Sequence, residues 1–130
     1  MLTQANGEFT VEMLPQAADA AHPFPTRLLL NKRYSGDLTA TGHGQMFTVV
    51  TPVQGSAGYV AMERVTGSLH GKTGSFVLQH SGTMTRGAPT LTVTIVPDSG
   101  TDELAAISGR CQINIENGVH RYVLDYSLPA

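Results

Sequence analysis

YVAMERVTGSLHGKTGSFVLQHSG, residues 59–82, alternates in character at every second position along two arms and carries His70-Gly71 between them. Period-two alternation is the signature of a strand with one buried face, and a glycine at the tip supplies the positive φ that a tight hairpin turn needs. With the turn centred on His70-Gly71, Val65 faces Phe76, Glu63 faces Leu78, and His80 lies diagonally across from Glu63. A four-residue loop would set Glu63 directly opposite His80, whereas an odd-length loop would turn one arm over and separate them. In either even-length register an acid and a histidine share an apolar face.

The neighbouring segments extend the pattern. Arg86-Gly87 makes a second tight turn, and centring the pairing there sets Val93 opposite His80 and Ile95 opposite Leu78, so one apolar face continues across both hairpins. A third hairpin is marked by Asn117-Gly118, the strongest short turn signal, and places Cys111, Ile113 and Ile115 with Tyr122, Leu124 and Tyr126 on one face. Upstream, residues 7–14 and 26–34 read as strands, and a third runs from about Leu38 to Val50 with Gly42 and Gly44 marking a bend. Pro15 to Pro25 contains three prolines that no ladder position accepts and reads as a long connection with one helical turn. Pro97 to Gly109 reads as a loop with a helical turn started by Ser99 and Asp102. Ser35-Gly36, Thr66-Gly67, Ser81-Gly82 and Ser108-Gly109 read as bends and bulges that coil strands toward closure.

Eight strands in sequential hairpins, with no βαβ alternation, predict an all-β, eight-stranded antiparallel up-and-down barrel; a two-sheet sandwich is the rival. Eight strands enclose room for packed side chains or for one small ligand, and the alternation is the same in both. A chain of 130 residues is expected to form one domain over residues 1–130. Net charge is -2 with only 14% charged residues, so no basic patch suits nucleic acid. The absence of a signal-like N-terminus or long apolar stretch, with the single Cys111, predicts a cytoplasmic protein and no membrane partner.

The segments YVAMERVTGSLHGKTGSFVLQHSGTM, IVPDSGTDELAAISG and YVLDYSL, in that order and spacing, resemble a bacterial domain-of-unknown-function family of single-domain proteins with an allene-oxide-cyclase-like β-barrel. The likeness runs from about Tyr34 onward and implies the eight-stranded barrel and a homo-oligomer. Allene oxide cyclases close a ring in an unsaturated lipid epoxide under the control of cavity shape. Their cavity residues do not match this chain one by one, so the resemblance carries no catalytic role.

On their own chemistry, Glu63 and His80 are the candidate catalytic residues, because a carboxylate and an imidazole in a water-poor barrel can divide acid and base work. The structural alternative is a satisfied polar pair that pins strand register. Tyr59, Phe76, Leu78, Tyr122 and Tyr126 are the candidate ligand-binding residues, expected to hold a small hydrophobic ligand. The five histidines, His22, His43, His70, His80 and His120, form no i,i+2 pair and no HxxxH, so neither metal nor other cofactor is expected. Cys111 reads as a small buried hydrophobe, and Ser81 and Ser108 lie in no GxSxG. Arg64 and Gln79 face outward, and an apolar or Arg64-centred patch there is expected to meet a symmetry mate in a homodimer. The functions in view are a binding barrel for a small apolar molecule, an isomerase or cyclase working in the same cavity, and a filled structural barrel.

Overall fold

The computed structural model describes residues 2–21 and 23–129; His22 lies outside them. Strands β1 (Thr3–Pro15), β2 (Thr26–Gly36), β3 (Leu38–Val50), β4 (Ala57–Leu69), β5 (Lys72–Thr85), β6 (Ala88–Ile95), β7 (Ser108–Glu116) and β8 (Val119–Ser127) close in chain order into an antiparallel barrel. The barrel, not the sandwich, forms because β1 reaches both neighbours. Its first half pairs with β8 from Thr3↔Tyr126, and its second half pairs with β2 as far as Pro15↔Leu28. The strand therefore starts four residues earlier than its alternation predicts. In that first stretch Gln4 and Asn6 point outward and Ala5 is the one buried side chain, which makes a weak apolar signal.

The three hairpins centre where their turn residues demand. Both turn residues have positive φ in each case: His70 47° and Gly71 81°, Arg86 46° and Gly87 91°, Asn117 51° and Gly118 79°. That backbone twist matches the twist of the flanking strands. Val65↔Phe76, Glu63↔Leu78, His80↔Val93 and Leu78↔Ile95 are all register partners as expected.

Four local expectations are corrected. Pro15 does hold a ladder position, opposite Leu28, at the end of β1 where the strand has no partner on its other side. The connection from Gln16 has no helical turn among its described residues. The ladders run through Thr66-Gly67 and Ser81-Gly82 without an extra residue, so these dipeptides are not bulges. At Gly82 the missing side chain makes room for a ring: a Cβ there would stand 2.5 Å from the ring of Tyr59, its register partner. The 97–107 loop does hold a single 3-10 turn, Asp102–Leu104, but Ser99 does not cap it. Instead the Ser99 hydroxyl oxygen accepts from Val77 N–H at 3.0 Å, and Thr101 exchanges backbone and side-chain hydrogen bonds with Ser75.

That loop replaces a strand. β6 ends at Ile95, opposite Leu78, so the first half of β5 would be left without a neighbour on that side. Buried backbone groups must be hydrogen-bonded, and the loop supplies the partners. It also inserts Leu104 and Ile107, both buried, into that end of the barrel. With Phe76, Leu69, Tyr122 and Leu124 they form a solid plug. Among the described residues no helix is long and apolar enough to cross a membrane.

Candidate ligand-binding site

Glu63 stands midway along β4 and is wholly buried. A carboxylate in such a place persists only with partners, and it has three. Lys32 Nζ donates to Oε1 at 3.0 Å, His80 Nε2 approaches the same oxygen at 2.9 Å, and the Tyr34 hydroxyl donates to Oε2 at 2.5 Å. His80 reaches it because the even-length turn puts both residues inside; Lys32 and Tyr34 reach it because β2 presents Leu30, Lys32 and Tyr34 inward at period two. Space for the carboxylate comes from β3. A Cβ on Gly42 would fall 2.0 Å from Glu63 Oε2, so only glycine fits beside the charge.

Burial alone would raise the Glu63 pKa. Hydrogen bonding from His80, the Lys32 charge and the Tyr34 hydroxyl outweigh it and hold the carboxyl below its usual range. The group is therefore ionised near neutrality. Burial first, and the Glu63 charge second, push the Tyr34 hydroxyl well up, so Tyr34 stays a neutral donor. Lys32 also sits over the Phe9 ring, 5.0 Å from its centroid.

This polar layer divides the barrel. On one side lies the plug; on the other, a cavity of about 460 Å³ opens at the barrel mouth, with Lys32 and His80 in its lining. Its wall is apolar, including Val11, Leu30, Met46, Tyr59 and Ile113. At the rim Met13, Met84, Leu91 and Ile115 are exposed. The interior is thus filled at one end and hollow at the other.

Of the five expected ligand contacts, only Tyr59 lines this cavity. Phe76 and Leu78 are packed in the plug. The Tyr122 hydroxyl accepts from Leu38 N–H at 2.9 Å and donates to the Ser35 carbonyl at 2.8 Å, while the Tyr126 hydroxyl lies 2.6 Å from His70 Nδ1 at the tip of the β4–β5 hairpin. These four lie level with the polar layer or past it, Leu78 being the register partner of Glu63, because period two gives the face a residue points to but not its depth along the strand. Lys32 and Tyr34 are site residues that the sequence reading missed; the inward spacing of Leu30, Lys32 and Tyr34 was the available signal.

Arg64 and Gln79 are exposed on the outer surface. Cys111 is half-buried against the core, and burial pushes its thiol up to about 12, which leaves it a poor nucleophile. Among the described residues no cluster of three or more His, Cys, Asp or Glu side chains is arranged to hold a metal ion.

Residues 5–126 match a protein family described as "Protein of unknown function (DUF3224)". The barrel is similar to the crystal structure of a DUF3224-family protein of unknown function from Shewanella oneidensis MR-1, with 42% identity, a TM-score of 0.92, and 100% of each chain covered. No curated protein matches the chain.

Proposed function

Since the chain belongs to the DUF3224 family, a family defined without a function, we propose a role from the cavity itself: the protein is a cytoplasmic binding barrel for one small, largely apolar molecule. The observation that carries this is the apolar, open-mouthed space of about 460 Å³ above a polar floor, the usual composition of a small-molecule site. Releasing water from such a wall favours filling it. An apolar fluorescent probe should bind at about one site per chain. Ala61→Phe, which fills the cavity, should weaken binding, and Gln112→Phe on the exposed outer face of β7 should not. Equal behaviour of the two variants, or no binding to the unmodified chain, would reject a ligand inside.

We further propose a homodimer through the outer face of β3 and β4. Phe47, Val60 and Met62 are all exposed there and line a groove of about 500 Å³ together with Gln45 and Gln79. A contiguous exposed apolar patch marks an association site, and a two-fold copy of the same patch is its simplest complement.

A further inference from the structure

The polar floor specifies more of the ligand than its size, on the premise that the cavity is a binding site. His80 Nε2 faces an ionised carboxylate oxygen at 2.9 Å, so Nε2 carries a hydrogen. The Glu63 bond thereby selects the tautomer and leaves Nδ1 with a lone pair. Nδ1 has no hydrogen-bond partner among the described residues, yet none of their buried side-chain nitrogen or oxygen atoms is unpartnered. It therefore touches open space; His80 borders both the outer groove and the cavity, and its side chain, buried on the inward face of β5 and bonded to Glu63, opens to the cavity. Lys32 likewise spends one donor on Glu63 and sets its charge over Phe9, with donor capacity left at the cavity floor.

Charge balance then selects the ligand. Glu63 and Lys32 cancel, so the layer is neutral when His80 is neutral. A carboxylate placed against Lys32 would leave one uncompensated negative charge in an apolar wall, which is costly. One proton from solvent on Nδ1 restores neutrality and turns His80 into a second charged donor to the incoming head. The other titratable groups turned toward His80 are Glu63 and Tyr59 on β4, Lys32 and Tyr34 on β2, Cys111 on β7 and, at the rim, His120 on β8; β1, β3 and β6 turn none inward. Burial raises Tyr34, Tyr59 and Cys111, which hold their own protons at neutral pH.

We propose that the ligand is an amphipathic organic acid, with an apolar body and one carboxylate lodged between Lys32 and His80, and that each molecule bound brings one proton onto His80 Nδ1. The cavity of about 460 Å³, at roughly 30 Å³ per water-sized group, takes about fifteen non-hydrogen atoms. Decanoic acid and 1-decanol are probes of that size that differ in the head alone.

Titration calorimetry of both probes against the unmodified chain at neutral pH, in two buffers of different ionisation enthalpy, reads affinity and proton uptake together. Decanoate is expected to bind about tenfold or more tightly than decanol, with one proton taken up per decanoate and none per decanol. Lys32→Met should erase the preference while decanol still binds; should that variant not fold, the carbon-13 shift of carboxyl-labelled decanoate bound to the unmodified chain decides, an ionised carboxylate supporting the proposal and a protonated carboxyl overturning it. Equal affinities, or zero proton uptake with decanoate, overturn the acid and leave the container standing. Binding of neither probe overturns both.

Discussion

Glu63 draws its three donors from two different strands, β2 and β5, so one side chain ties together elements far apart in the chain. Its partners are not equivalent. Removing Glu63 takes the counter-charge from the buried Lys32 ammonium, whereas His80 loses a hydrogen-bond acceptor. Glu63→Leu should therefore cost about 3–5 kcal/mol. Adding Lys32→Met should recover most of that loss, and adding His80→Phe should recover much less. Urea unfolding of the single and double variants measures the difference, and equal recovery from the two second changes would show that the ammonium is not the group left stranded. The Glu63–His80 half of this cluster was legible in the sequence because a two-residue turn links them and fixes their parity. The Lys32–Tyr34 half was not. β2 meets β4 only through β3, and the run Leu28-Leu29-Leu30 hides which face is inside.

At the scale of elements, turn chemistry made the hairpins readable. His70-Gly71, Arg86-Gly87 and Asn117-Gly118 each announce both the position and the parity of a ladder. The 97–107 loop could not be read this way, because its role as a substitute strand depends on β6 ending at Ile95 while β5 continues below it. At the other end of β6, toward the mouth, the sheet has a thin seam. β4 and β5 pair from Ala57↔Met84 to Leu69↔Lys72, but β6 and β7 share two residue pairs. The flanking stretches Ala88–Thr92 and Gln112–Glu116 have no ladder partner across the seam and open into the cavity wall at Leu91, Ile113 and Ile115. Native-state hydrogen exchange should find the seam-facing amides of these stretches the fastest in the sheet, with β3 and β4 among the slowest. Protection in the seam equal to that of β4 would contradict it.

For the whole molecule, closure follows from strand order and from the double pairing of β1, and the barrel matches the Shewanella oneidensis protein along its full length. Closure confines unpaired sheet edge to the short β6–β7 seam, and the proposed dimer forms instead through side chains on the outer face of β3 and β4. Met62→Lys with Val60→Lys should shift sedimentation at high micromolar concentration from dimer to monomer while leaving the melting temperature of the barrel little changed. A monomer for the unmodified chain under those conditions would reject the interface. The fold class and strand parity could be read without coordinates; the depth at which filling stops could not, since a plug and a hollow demand the same alternation.

The division of the interior at Glu63 also separates two kinds of freedom to change. Side chains in the plug are locked to one another, and enlarging or shrinking any of them strains or voids a packed core. Those around the mouth, such as Met13, Met46, Met84 and Leu91, border space rather than neighbours. Substitution there alters what fits while the closed end keeps the chain folded, so the molecule can diverge in specificity without first acquiring spare stability.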